Sequence, residues 1–189
     1  MICVCICVCV CICHSFYLLT ISHVFSCTYS ILITISPHRL SIIAVAKTGS
    51  GKTLGFLLPV FHRISNSSSL SQQQSSGVEV APLCIILSPT RELAIQIHGV
   101  SVKYASCYNN INCECVYGGT NVSLQCKQLK EAKPQILIAT PGRLCDLLER
   151  NVLTLSCSSM CVLVSSTTDV RKYLLFYMYL DGCSYLIFI

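Results

Sequence analysis

Hydrophobic residues in this chain come in short unbroken runs, and these runs alternate with segments of helical periodicity. A short apolar run bounded by polar residues is typical of a strand buried on both faces. The runs that predict strands are 41–45, 80–87, 113–117 and 136–139. Four segments predict helices. The first is 54–63, which Pro59 interrupts, and the second begins near Arg91 with Thr90 as its cap. The third is 122–132, and the fourth is 142–150, which Pro141 starts. This alternation predicts an α/β fold, a parallel sheet with helices on both faces and ligands at the carboxyl ends of its strands.

A polar stretch separates the first predicted helix from the next strand. Residues 65–77 read SNSSSLSQQQSSG and offer no face that a core could bury. Small polar residues of this kind are typical of a flexible surface loop.

A glycine-rich segment lies where the strand 41–45 turns into a helix, and it predicts a phosphate-binding loop. Its residues are Ala46, Lys47, Thr48, Gly49, Ser50, Gly51, Lys52 and Thr53. Glycines let successive backbone amides converge on a phosphate chain, and the start of the helix adds its positive dipole end. Lys52 would reach the β- and γ-phosphates of ATP, and Thr53 would ligate Mg²⁺. The alternative is a Gly-Ser loop with a solvated lysine.

The first position of the general phosphate-loop pattern is Gly, whereas this chain has Ala46 there. AKTGSGKT resembles the loop of the DEAD-box RNA helicases, and three further motifs follow in that family's order: PTRELA at 89–94, Gly-Gly at 118–119 and TPGR at 140–143. The resemblance runs from about residue 43 to about residue 155. It implies part of the first of the two RecA-like P-loop NTPase domains that such a helicase uses.

The resemblance also implies contacts to the RNA backbone. The residues concerned are Pro89, Thr90, Arg91, Gly118, Gly119, Thr140, Pro141, Gly142 and Arg143. Helix N-termini, glycine amides and guanidinium groups are suited to phosphate, and contacts to phosphate carry no base information. RNA binding is therefore expected to be independent of sequence. Taken singly, Arg91 is more often a solvated charge and Gly-Gly a plain turn, and it is the register of the motifs that favours contacts to RNA.

Features on which the family's chemistry depends are absent from this sequence. The family carries Asp-Glu-Ala-Asp at the end of the next strand, where this chain reads CVLVSSTTD over 161–169. Asp169 follows too late to be expected as the metal ligand, and no Gln precedes Gln72 to read adenine. The later Ser-Ala-Thr motif and a second domain with its arginine finger are also missing. Lys52 and Thr53 are thus the catalytic candidates of a chain expected not to hydrolyse ATP by itself.

Length, net charge and cysteine content limit the number of domains, the kind of partner and the state of the thiols. At 189 residues the chain is long enough for one domain, and its net charge of +5 is compatible with polyanionic partners. Its 16 cysteines lack the paired spacing of a zinc site, and an ATP-using protein belongs in a reducing compartment, so free thiols are expected. Cys113 and Cys115 share one face of a predicted strand, where they are expected to pack.

The two ends of the chain depart from this pattern. Residues 1–38 contain no Lys, Arg, Asp or Glu and open with alternating Cys and apolar residues. Three interpretations stay open for segment 1–40: translated noncoding sequence, because a TGTGTG repeat encodes Cys-Val, a membrane-associating segment, or a metal-binding CxC array. The segment 156–189 is interpreted as a divergent apolar tail, which leaves 41–155 as the RecA-like domain.

Together these observations predict part of a DEAD-box ATP-dependent RNA helicase located in the nucleus or cytoplasm. The alternatives are a truncated product that binds nucleotide or RNA without enzymatic activity, and a small P-loop protein anchored to a membrane through residues 1–38.

Overall fold

The computed structural model describes residues 2–5, 12–13, 16–17, 42–45, 52–66, 80–108, 111–164 and 185–188. Its strands are β1 (Ile2–Cys5), β2 (Ile12–Cys13), β3 (Phe16–Tyr17), β4 (Ile42–Val45), β5 (Cys84–Leu87), β6 (Cys113–Val116), β7 (Ile136–Ala139), β8 (Met160–Leu163) and β9 (Tyr185–Phe188). Its helices are α1 (Lys52–Ser65), α2 (Arg91–Ala105), α3 (Val122–Ala132) and α4 (Pro141–Glu149).

Seven of the described strands form one sheet in the order β1-β4-β9-β8-β5-β7-β6. Every neighbouring pair in it is parallel. The strands β2 and β3 form a separate antiparallel pair. The predicted α/β fold with a parallel sheet is therefore confirmed, and parallel strands place all their carboxyl ends at one edge of the sheet.

The core consists of two apolar layers, one on each face of the sheet, because successive residues of a strand point to opposite faces. In β5, Cys84 and Ile86 pack with α1 and α2, whereas Ile85 and Leu87 pack with α3 and α4. All four residues of β5, β7 and β8 are buried. Burial on both faces explains why these strands read as unbroken apolar runs rather than as alternating ones.

Helix α1 continues through Pro59, so the predicted interruption at that residue is wrong. Proline removes one helical hydrogen bond and costs about 3 kcal/mol in a helix interior. Phe56, Leu57, Val60 and Phe61 are nevertheless almost fully buried on either side of it. Burying a large apolar side chain contributes roughly 1.5–3 kcal/mol, so this set of contacts offsets the cost of the proline.

The sheet extends past residue 155, where the sequence predicts that the domain ends. Strand β8 lies between β5 and β9, and its Cys161 and Val162 have no exposed surface. Pairing on both sides satisfies its backbone, and its apolar side chains complete both core layers. The segment 156–189 thus contributes two parallel strands to the sheet, and the segment 1–40 contributes β1, which pairs with β4.

The predicted surface loop at 65–77 lies outside the described residues, apart from Ser65 and Asn66 at the end of α1. Within the described part of the chain, no helix is both long enough and apolar enough to cross a bilayer.

Candidate functional site

Three of the predicted motifs follow neighbouring parallel strands and therefore meet at one rim of the sheet. The order β5-β7-β6 places PTRELA, TPGR and the Gly-Gly turn side by side. Two backbone hydrogen bonds link the three segments at this rim. The Ser88 amide donates to the Ala139 carbonyl at 3.0 Å, and the Thr140 amide donates to the Val116 carbonyl at 3.0 Å. These bonds extend the strand ladder beyond its last residues and bring the three segments into register.

PTRELA forms the start of α2. Thr90 has extended backbone dihedrals, and its hydroxyl accepts a hydrogen bond from the Leu93 amide at 3.3 Å, so Thr90 is the helix cap that the sequence predicts. Arg91 is the first helical residue and is largely exposed, with its Nε 2.7 Å from Glu92 Oε1. The hydrogen bond from Arg91 lowers the pKa of the Glu92 carboxyl. An exposed ion pair of this kind is weak, so a phosphate could displace Glu92 from Arg91.

The Gly-Gly turn lies beside Arg91. Gly119 has φ of +84°, a conformation that L side chains rarely adopt, and a β carbon at this position would lie 3.8 Å from Arg91 Nη1. The Thr120 hydroxyl closes the turn by donating to the Tyr117 carbonyl at 3.1 Å. Asn121 then caps α3, with its Oδ1 accepting from the Ser123 amide at 2.9 Å. The structure thus brings Arg91 and Gly119, two residues predicted to contact RNA, into direct proximity.

The TPGR motif forms the start of α4, with Pro141 in the first turn, as its fixed φ favours. Thr140 is in the capping position, but its side chain makes no capping hydrogen bond. Gly142 is exposed, and a β carbon there would have no heavy atom within 4 Å. The backbone at the start of α4 is therefore accessible at the same rim.

Arg143, the last residue of that motif, is buried and its guanidinium is directed into the protein. Its Nη1 donates to Gln125 Oε1 at 2.5 Å, its Nη2 to the Thr120 carbonyl at 3.0 Å, and its Nε lies 3.8 Å from Asp146 Oδ2. The relative exposure of Arg143 is only 8%. An RNA contact through its guanidinium stays a prediction, whereas its contact with the Gly-Gly turn is present in the structure.

Gln125 is a residue of this site that the motifs did not indicate. It lies on α3 with 6% exposure, one helical turn before the buried Leu129, and its Nε2 donates to the Tyr117 carbonyl at 3.4 Å. A polar residue on the buried stripe of an amphipathic helix is the sequence signal that could have identified it.

The predicted nucleotide site is described only in part. Strand β4 ends at Val45 and α1 begins at Lys52, as the phosphate-loop pattern requires, while Ala46 to Gly51 lie outside the described residues. Lys52 and Thr53 are the first two residues of α1 and are half-buried, and the first turn contains no acidic residue. This arrangement of a lysine, a hydroxyl and an uncompensated helix N-terminus fits the triphosphate of Mg·ATP.

No carboxylate directly follows β8 in sequence within the described part of the chain. Asp146 and Glu149, the last acidic residues before this strand, belong to α4, and Val164 directly follows the strand. Ser165 to Thr168 and Asp169 lie outside the described residues. Within the described residues, no group of three or more His, Cys, Asp or Glu side chains could hold a metal ion.

The cysteines of β6 are packing residues, as predicted. Cys113 is buried, and Cys115 packs against the same core layer. Burial raises the pKa of each thiol to about 12, with a smaller contribution from the neighbouring Glu114 carboxylate. Both thiols are therefore protonated at neutral pH, and neither Cys113 nor Cys115 forms a disulfide.

The parallel sheet, the strand–loop–helix at Lys52 and the shared rim define an α/β domain of the RecA-like type. The family model for the DEAD/DEAH box helicase domain matches residues 28–165. The chain belongs to the DEAD/DEAH box helicase family. The matched range begins inside segment 1–40 and ends past residue 155.

Similar proteins agree with this assignment. The chain is 43% identical over 122 residues to the ATP-dependent RNA helicase-like protein DB10 of Nicotiana sylvestris, covering 65% of this chain and 19% of that protein. It is 42% identical over 110 residues to the pre-mRNA-processing ATP-dependent RNA helicase PRP5 of Candida albicans, covering 58% of this chain and 12% of that protein. The chain thus spans about one fifth or less of the length of these relatives.

Solved structures show the same fold. The yeast DEAD-box splicing factor Prp28 superposes with a TM-score of 0.66 at 28% identity, over 78% of this chain and 36% of that one. A hypothetical ATP-dependent RNA helicase from Sulfolobus tokodaii superposes with a TM-score of 0.65 at 22% identity, over 87% of this chain and 45% of that one, which is a likeness of fold.

Proposed function

We propose that this chain is the ATP- and RNA-binding part of a DEAD-box ATP-dependent RNA helicase, and that alone it binds both ligands without hydrolysing ATP. The observation that carries the proposal is the shared rim, where Arg91 lies against Gly119 and the starts of α2 and α4 are adjacent. Guanidinium groups, helix N-termini and glycine amides bind phosphate oxygens and carry no base specificity. The expected ligand is the backbone of single-stranded RNA.

The proposed nucleotide is ATP with Mg²⁺, held by the loop 46–51 together with Lys52 and Thr53. Lys52 would neutralise charge on the phosphates, and the Thr53 hydroxyl would be a ligand of Mg²⁺. Bound Mg·ATP supplies an activated terminal phosphoryl group. The sequence directly after β8, residues 164–168, contains no carboxylate that could orient a water molecule, and this supports binding without hydrolysis.

Relatives named for pre-mRNA processing and splicing support a nuclear location for the protein. The predicted membrane-associating segment 1–38 lies mostly outside the described residues, and membrane association stays an alternative that fractionation of cell extracts would test.

RNA binding can be tested with two variants on the same helix, one of an arginine and one of a lysine. Arg91 begins α2 and Lys103 lies in its last turn, about 18 Å away along the helix axis. Fluorescence anisotropy with a labelled single-stranded RNA should show that Arg91→Ala weakens binding and reduces the salt slope by about 0.7, the value for one phosphate contact. Lys103→Ala is the matched control, because it removes an equal charge away from the rim. Equal effects of both variants would contradict the proposed interface.

A further inference from the structure

The side chain of Gln125 connects two parts of the rim that are distant in sequence. Its Oε1 accepts from Arg143 Nη1 at 2.5 Å, and its Nε2 donates to the Tyr117 carbonyl at 3.4 Å. Both Gln125 and Arg143 are more than nine-tenths buried. Glutamine is able to make this connection because its amide carries both an acceptor and a donor.

Together Gln125 and Arg143 hold the two carbonyls on either side of the Gly-Gly turn. Gln125 binds the carbonyl of Tyr117, and Arg143 Nη2 binds the carbonyl of Thr120 at 3.0 Å. In a planar trans peptide the N–H points opposite to the C=O. Because both carbonyls are directed toward these buried side chains, the amides of Gly118 and Asn121, which share the two peptide planes, are directed the other way. Both residues are exposed.

We infer that Gln125 is a positioning residue for RNA-backbone binding, an inference that rests on the proposed function. It acts through Arg143 and the turn and does not touch RNA itself. A buried guanidinium is costly unless acceptors surround it, and Gln125 supplies one acceptor for Arg143. With Gln125 in place, the guanidinium holds the Thr120 carbonyl and the turn presents its amides to a phosphate before RNA arrives, so less ordering is needed on binding.

Three variants of the full 189-residue chain separate this role from a general structural one. Gln125→Met keeps the volume and removes both hydrogen bonds, whereas Gln125→Glu keeps the acceptor for Arg143 and removes the weaker bond to Tyr117. Gln128→Met is the matched control, because Gln128 lies exposed on the same helix. For each variant, RNA affinity is measured by anisotropy, hydrogen exchange is measured at residues 117–121, and the thermal midpoint reports folding.

We expect Gln125→Met to weaken RNA binding by about fivefold or more, the loss of roughly one hydrogen bond, and to speed amide exchange in the turn. Gln125→Glu should stay within about threefold of the unaltered chain, since its carboxylate still accepts from Arg143. Gln128→Met should bind RNA as the unaltered chain does.

Other results overturn the inference in recognisable ways. RNA affinity unchanged in Gln125→Met would show that the turn needs no support from Gln125. If neither Gln125 variant folds, the role of Gln125 is merely structural. The same conclusion follows if both variants lose RNA binding equally while the backbone amides of the turn exchange hydrogen as before. If the unaltered chain fails to bind RNA, the proposed function itself fails, and that result is seen before any substitution is made.

Discussion

The guanidinium of Arg91 lies against Gly119, with Nη1 3.8 Å from where a β carbon on that glycine would be. Arg91 begins α2 after β5, and Gly119 belongs to the turn after β6, so this close approach spans two strand ends that β7 separates in the sheet. A distance of 3.8 Å is ordinary van der Waals contact. The positive φ of Gly119, and not lack of space, is therefore what requires glycine at this position.

Gly119→Ala should lower the free energy of unfolding by about 1–2 kcal/mol, because an L side chain is strained at φ of +84°. Urea unfolding followed by circular dichroism measures this change. Gly118→Ala is the matched control, since a β carbon there would have no heavy atom within 4 Å and its φ is not in the positive region. A loss for Gly118→Ala as large as for Gly119→Ala would show that the turn conformation is not the cause.

Cys113 and Cys115 should resist alkylation in the folded chain, because burial raises the pKa of each thiol to about 12 and the thiolate is the reactive form. After brief iodoacetamide treatment at pH 8, mass spectrometry should show that Cys113 and Cys115 are alkylated orders of magnitude more slowly than the exposed Cys107. In denaturant all three should react alike. Rapid modification of Cys113 under folding conditions would contradict the described packing.

The same thiols make stability depend on alkaline pH. Below the ordinary thiol pKa, near 9, they are protonated in both the folded and the unfolded chain. Above it the unfolded chain loses these protons, while the folded chain keeps them until about pH 12. The unfolded state then binds fewer protons, so the free energy of unfolding should fall as pH rises from about 9 to about 12. Replacing both cysteines by Ala should remove this part of the pH dependence.

The four strands β4 to β7 and the helices could be predicted from the sequence, because unbroken apolar runs such as that of β7 are buried on both faces. Helix α2 was harder, since its buried residues Ala94, Ile97, Ser101 and Ala105 include two small ones and a hydroxyl, while the more hydrophobic Ile95 is 46% exposed. Hydrophobicity alone therefore selects the wrong residue. The places of β8 and β9 in the sheet depend on pairing between distant segments, which no local pattern reveals.

Motif order predicted which segments form the candidate site but not how their side chains are used. Arg143 in the sequence is a cation beside a helix start, and only the packing of α4 against α3 shows that it is buried on Gln125. Gln125 lies outside every recognised motif. Its inferred role depends on hydrogen bonds from its side-chain amide to Arg143 and Tyr117, which lie 18 and 8 residues away in sequence. Only the three-dimensional structure shows that these groups are within reach.

Lys52→Ala should weaken Mg·ATP binding at least tenfold, about 1.4 kcal/mol, because the Lys52 ammonium is the cation that the phosphate-loop pattern directs at the phosphates. Isothermal calorimetry or a fluorescent-nucleotide titration measures the loss. Lys103→Ala removes a lysine from the far end of α2 and should leave nucleotide affinity unchanged. Equal affinity of the Lys52 variant and the unaltered chain would refute the phosphate-loop assignment.

RNA binding by the unaltered chain should be weak, sensitive to salt and indifferent to base sequence. Arg91 and the backbone amides at the rim address only a few phosphates, so few counterions are released on binding. The slope of log affinity against log salt should be roughly −1 to −3. Titrations with homopolymers of each base, repeated across a range of salt concentrations, provide the measurement. A strong preference for one base would count against a backbone-only interface.

Catalysis is where this chain should differ from its family. Hydrolysis requires one carboxylate to orient the attacking water and another to hold Mg²⁺ near Thr53. Strand β8, however, is followed by Val164 and then by Ser165, Ser166 and two threonines in the sequence. A neutral hydroxyl can neither balance the charge of the metal ion nor act as a base near neutral pH. The 189-residue chain should therefore release no phosphate above background, with or without RNA, and should not unwind a duplex.

A coupled phosphate-release assay with and without RNA measures this, and Lys52→Ala provides the background. RNA-stimulated release that Lys52→Ala abolishes would show that another acid, with Asp169 the first to test by Asp169→Asn, completes the site.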